Sequence, residues 1–146
     1  MPGRVHHSAI NARDFDASLR FYREGLGLEV MMDTEFDGDW QGLFGATATR
    51  LRSVFLGDPA NPDSGIVELV GLEGTPDGPP PPDAPTTGFF LLSFFVGDTA
   101  EVLARLRDLG LGGEPRRIEL PGPNDSTVVM ATVRDPDGVL VELIGA

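Results

Sequence analysis

The chain has 146 residues, 40% of them hydrophobic, with 19 Gly, 13 Pro, no Cys and a formal charge of −12. A chain of this length buries about two-thirds of its unfolded surface within one domain. The lack of Cys excludes disulfides, and the acidic balance, in which every basic residue is an Arg, opposes binding to a phosphate backbone.

The longest apolar run, "GFFLLSFFVG", is about half the length of a bilayer span, and "MPGRVHHS" lacks the pattern of a signal peptide. The expectation is a soluble, cytoplasmic protein that binds neither nucleic acid nor membrane. Residues 4–12 alternate, with Val5, His7, Ala9 and Asn11 on one face and His6, Ser8, Ile10 and Ala12 on the other, as in a half-buried strand. Asp14 then caps a helix whose stripe is Phe15, Leu19, Tyr22 and Leu26, and "GLGL" stops it; Tyr22 on this stripe is a core residue. "LEVMMD" (28–33) reads as a strand, "TEFDGDWQGLFGA" as an irregular connection, 47–57 as a strand, "DPANPDS" as a turn and 65–74 as another strand.

Residues 75–88, "TPDGPPPPDAPTTG", exclude a central strand or helix interior and read as a stiff, extended linker. Beyond it the order repeats. "FFLLSFFV" is a strand, Asp98 with Glu101 is a capping box, and Val102, Leu103, Leu106 and Leu109 form a helical stripe ended by Gly110. "GEPRRIELPG", "STVVMATVR" and "VLVELIGA" are three further strands, the last two joined by the tight turn "DPDG", whose acids serve the turn rather than catalysis. The fold class is α+β: two tandem βαβββ modules, 4–74 and 88–146, around a Pro-rich linker, 75–87, in a single domain with pseudo-twofold pairing.

Three residues stand in comparable places. His7 lies on the opening strand of the first module, Glu68 on its last strand in "IVELV", and Glu142 on the last strand of the second in "VLVELI". Each Glu interrupts an apolar run, where a carboxylate needs a cation, an Arg such as Arg50 or Arg52, or solvent. Where the first module has His7, the second has Leu91. His6, by alternation, points away from His7. In the irregular connection Phe36, Trp40 and Phe44 either line a binding site and stack on a flat substrate or bury the loop.

The paired modules, "HHSAINARDFDASLRFYREGLGL", the two "VEL" strand endings and "RDPDGVLVELIG" resemble the vicinal oxygen chelate superfamily, which includes glyoxalases, extradiol dioxygenases and bleomycin resistance proteins. The resemblance spans nearly the whole chain. It implies a cup-shaped, partly open mixed β-sheet with helices on the outer face. It also implies metal ligands at His7, Glu68 and Glu142, holding Mn, Fe(II), Ni or Zn beside a small carbonyl or vicinal-oxygen substrate in a lyase or isomerase. In such enzymes the metal stabilises an enolate and a last-strand Glu moves the proton, a part that falls to Glu142.

The sequence departs from the lyase pattern at Leu91, where relatives usually carry His. That departure makes one wall of the site apolar and substrate-facing. It also fits the alternative, a metal-free protein of the bleomycin-resistance kind that sequesters a drug. The resemblance further implies a homodimer, with modules combined within one chain or exchanged between two.

Overall fold

A computed structural model describes all 146 residues, and the chain divides into two compact units, Met1–Gly78 and Pro79–Ala146. No helix is long and apolar enough to cross a membrane.

The first unit is built from β1 (His7–Asn11), α1 (Phe15–Leu19), β2 (Glu29–Asp37), α2 (Trp40–Phe44), β3 (Arg50–Gly57) and β4 (Ile66–Leu72). Its strands form one mixed sheet in the order β1-β4-β3-β2, in which only the β1–β4 pair is parallel. Period-two alternation sorts the residues of β4. Val67 and Leu69 are almost fully buried beside Val54 and Leu56, while Glu68, Val70 and Leu72 point to the other face. Burying each large apolar side chain of this core contributes about 1.5–3 kcal/mol.

Asp14 accepts the Ala17 amide hydrogen bond at 3.1 Å and so caps α1. After Leu19 the helix widens into a π-helical stretch, Arg20–Gly25, which departs from the simple stripe expected from the sequence. The extra residue per turn brings two consecutive rings, Phe21 and Tyr22, inward together; both are fully buried and meet edge to face at 4.8 Å. Tyr22 is therefore core, and Phe21, outside the predicted stripe, is equally so. Gly27, at φ 80°, ends the element in a backbone region that a side chain would strain.

Two predicted boundaries shift. The strand placed at 28–33 runs on to Asp37, because Thr34, Glu35, Phe36 and Asp37 pair in register with β3, and the rest of the supposed irregular connection is largely the short helix α2. Asp39 caps α2 by accepting from the Gly42 amide, and Gly45 closes it in the left-handed region.

The second unit contains β5 (Leu92–Phe95), α3 (Thr99–Asp108), β6 (Gly112–Pro121), β7 (Thr127–Arg134) and β8 (Leu140–Gly145). The sheet order, β5-β8-β7-β6 with only β5–β8 parallel, repeats that of the first unit. Asp98 accepts from the Glu101 amide at the same 3.1 Å as the first cap. Glu101 turns its carboxylate to Arg105 rather than back to the cap, so the capping box is half formed. Val102 and Leu106 bury with Val133, Val141 and Leu143, and Asp135 organises the "DPDG" turn by accepting the amides of Asp137 and Val139.

Only Leu92–Phe95 of the predicted strand "FFLLSFFV" is paired; Phe89 and Phe90 precede it exposed. The Pro-rich segment is irregular, but in the second unit it is tied down. Arg134 donates to the Pro82 carbonyl at 2.7 Å, Arg116 to that of Asp83 at 3.4 Å, and the Pro81 ring lies over Gly138.

Candidate active site

In the first unit one sheet face carries the chemistry. Parallel pairing sets Ala9 beside Glu68, which places His7 one side-chain step away on the same face, and antiparallel pairing sets Phe55 on the other flank of Glu68. His7 Nε2 stands 3.4 Å from Glu68 Oε1, and the Ser53 hydroxyl donates to Glu68 Oε2 at 2.5 Å. The carboxylate, with a side chain only 14% exposed, is thus engaged at both oxygens. The Phe55 ring lies 5.3 Å from that of His7 and restricts its tilt.

His6 is not turned away from His7. Regular pairing begins only at His7, so strand alternation does not govern the preceding residue. The two Nδ1 atoms lie 2.9 Å apart in a hydrogen bond, which leaves His7 Nε2 as the nitrogen facing Glu68. Nor do Arg50 and Arg52 serve the glutamates. Arg50 pairs with Asp37 and Glu35, and Arg52 makes a two-pronged contact with Asp33, so each finds its carboxylate along β2.

Glu68 and His7 form part of the wall of a cavity of about 930 Å³. Phe36, Trp40 and Phe44 all line it, Phe36 from β2 and the other two from α2. Trp40 and Phe44 lie nearly parallel, 10° apart with centroids at 5.8 Å, and the indole N–H is fixed on the Phe36 carbonyl.

The second unit places Glu142 on β8, where the Ser93 hydroxyl donates to its Oε1 at 2.7 Å. Ser93 is the register partner of Glu142, as Ala9 is of Glu68, and Leu91 precedes Ser93 by the two residues that separate His7 from Ala9. Leu91 therefore takes the place of His7 in the strand pattern and is half-buried. Thr132 lies opposite Glu142 on β7.

Sequence reasoning overlooked Ser53, Ser93 and Phe55. Ser53 stands between Arg52 and the apolar "VFL", and Ser93 interrupts the apolar run "LLSFF"; a hydroxyl on such a strand marks a polar partner on the same face.

No group of three His, Cys, Asp or Glu side chains able to hold a metal ion forms within either unit. The His7–Glu68 pair nevertheless has the donor chemistry of a divalent site: one imidazole nitrogen and one carboxylate oxygen side by side, with the second oxygen oriented by a hydroxyl. The residues present fit such an ion as part of its ligand set.

Tandem βαβββ modules, with a glutamate on the central strand of each sheet and an imidazole beside the first, define a class of paired-module α+β proteins. The model of the Glyoxalase/Bleomycin resistance protein/Dioxygenase superfamily matches residues 4–143. The chain belongs to this family.

Among curated relatives, the lactoylglutathione lyase-like protein terB of Aspergillus terreus (strain NIH 2624 / FGSC A1156) is 39% identical over 145 residues, covering 96% of this chain and 74% of that protein. The probable lactoylglutathione lyase of Synechocystis is 27% identical over 94% of this chain and 92% of its own. Of solved structures, the trypanothione-dependent glyoxalase I of Leishmania major matches with a TM-score of 0.64 and 25% identity, over 99% of this chain and 87% of that one. A glyoxalase family protein from Bacillus cereus matches with a TM-score of 0.72 over 97% and 93% of the two chains, at 20% identity, and bears on the fold alone.

Proposed function

We propose that the protein is a divalent-metal-dependent enzyme of the glyoxalase type, a lyase or isomerase acting on a small carbonyl or vicinal-oxygen substrate. The observation that carries this reading is the His7–Glu68 pair on the wall of the 930 Å³ cavity, its carboxylate held by Ser53. The lactoylglutathione lyase relatives support the same class of reaction.

In this reading His7, Glu68 and Glu142 hold Mn, Fe(II), Ni or Zn, and the two modules work as one domain in a homodimer. The ion, when bound, supplies Lewis-acid polarisation of adjacent substrate oxygens. The chain's own groups do the rest. Ser53 keeps Glu68 from swinging, Phe55 and His6 keep the His7 ring in register, and the aromatic wall offers the substrate an apolar surface beside the reacting face. Glu142 removes the proton beside the substrate carbonyl and returns it to the neighbouring carbon, with Ser93 holding its carboxylate in position.

A second reading is favoured by the aromatic cavity and by Leu91 in place of an imidazole: a metal-free protein that sequesters a drug or other small molecule. Solvent deuterium exchange separates the two. The enzyme reading predicts exchange of the proton beside the carbonyl of α-hydroxyketone substrates, followed by NMR and lost in Glu142→Gln. Ligand binding without exchange in the native protein supports sequestration.

A further inference from the structure

The second unit has a cavity of its own, of about 590 Å³, bounded by the Pro-rich segment on one side and by Arg116, Thr132 and Arg134 of the sheet on the other. All of its lining residues lie between Pro79 and Leu140, within this unit. Neither Glu142 nor Ser93 is among them, so the reaction proposed above makes no use of it.

The two arginines of the lining do different work. Arg134 donates to the Pro82 carbonyl at 2.7 Å and to that of Gly138 at 3.0 Å, which braces the Pro-rich segment against the hairpin turn. Arg116 is barely engaged. Both of its terminal nitrogens reach the single Asp83 carbonyl oxygen at 3.4 Å, well beyond the about 2.7–2.9 Å of a charge-assisted bond to a carboxylate. A guanidinium fork shaped for two oxygens is thus turned toward one.

Three carboxylates, of Asp83, Glu114 and Asp137, line the same cavity. Glu114 stands two residues before Arg116 on β6, about 6–7 Å along the strand. Even so, neither Glu114 nor Asp83 forms an ion pair with Arg116, which is drawn to the backbone of the Pro-rich segment instead. Opposite charges therefore face one space without neutralising each other. Beside them Phe89 and Phe90, 76% and 52% exposed, and the rings of Pro79, Pro81 and Pro82 give the cavity an apolar side.

We infer that this cavity binds a small zwitterion carrying an apolar ring, of the chemical class of an aromatic α-amino acid. Its carboxylate takes the Arg116 fork in place of the Asp83 carbonyl, its ammonium lies toward Glu114, and its ring covers Phe89 and Phe90. Charge decides the class. A ligand with a carboxylate alone meets three acids on the wall and a chain of charge −12, while an ammonium alone leaves Arg116 on its long contact. A zwitterion satisfies both signs at once. The inference goes beyond the proposed reaction and does not depend on it.

Isothermal titration calorimetry on the full chain, at low ionic strength and near neutral pH, tests it with four probes. L-phenylalanine is expected to bind saturably. 3-Phenylpropanoate, which lacks the ammonium, phenethylamine, which lacks the carboxylate, and glycine, which lacks the ring, are each expected to bind about tenfold or more weakly. Arg116→Gln and Glu114→Gln, both at exposed positions, each weaken phenylalanine binding by about tenfold while the melting temperature stays near that of the native protein. Arg117→Gln, which removes the neighbouring pair with Glu119 outside the cavity lining, leaves binding unchanged. The inference is overturned by no saturable phenylalanine binding below about 10 mM, by any of the other three probes binding as tightly, or by an Arg116→Gln protein that binds phenylalanine undiminished.

Discussion

Ser53 donates its hydroxyl to Glu68 Oε2 at 2.5 Å, and this leaves Oε1 as the oxygen facing His7. The bond joins β3 to β4 across the sheet face and sets the carboxylate plane. Its counterpart in the second unit reaches Glu142 from β5, the other neighbour of the central strand, so the two glutamates are held by the same chemistry from opposite sides.

Removing that hydroxyl tests its positioning role. Ser53→Ala is expected to fold, since it deletes a single oxygen from a buried site, and to weaken divalent-ion affinity by about 10- to 100-fold. Competitive titration with a metal indicator measures the change, and a melting temperature close to that of the native protein distinguishes positioning from collapse. Unaltered metal affinity contradicts the role.

Leu69 is fully buried on the helix-facing side of β4, one residue from Glu68. Leu69→Ala is expected to cost about 2–5 kcal/mol, from lost transfer energy and the cavity left behind. Urea unfolding followed by circular dichroism measures it. A loss below about 1 kcal/mol would show that the helix and sheet do not pack as described.

Asp33 and Arg52 supply a pH-dependent contribution. The two hydrogen bonds from the Arg52 guanidinium hold the Asp33 carboxyl below its usual range. Its folded pKa lies below the unfolded one, so the stabilisation is fully present above about 3.9 and is lost as pH falls through the lowered folded value. Solvent screening at this partly exposed pair keeps it below about 1 kcal/mol. Asp33→Asn should therefore be slightly less stable near neutrality, with the gap closing as the solution is acidified below the unfolded value. A gap of constant size across that range contradicts the assignment.

At α3, Asp98→Ala removes the acceptor for the Glu101 amide and is expected to cost about 1 kcal/mol. A lowered urea midpoint with an unchanged slope is the predicted signature.

Much of the fold was legible because its signals are local. Asp14 and Asp98 announce helix starts, Gly27 and Gly110 their ends, and "DPDG" a hairpin, each through the geometry of a few neighbouring residues. Where tertiary packing overrides the local pattern, reading failed. The π-helical turn at Arg20–Gly25 answers to the burial of Phe21 and Tyr22 together, and β2 extends to Asp37 because β3 offers it partners.

The candidate site shows the same division. His7, Glu68 and Glu142 stood out as polar residues at matching strand positions. Ser53 and Phe55 acquire their roles only through the β3–β4 register, which no local pattern encodes. His6 was misplaced because alternation was extended one residue beyond the first paired position.

The measurement that tests the central claim most directly is metal content per chain, by plasma mass spectrometry on untagged protein purified without chelator, beside the His7→Ala variant. The account predicts a divalent ion at one per chain in the native protein and its loss in the variant. No metal in either protein, even after reconstitution with Mn, Fe(II), Ni and Zn, would contradict it.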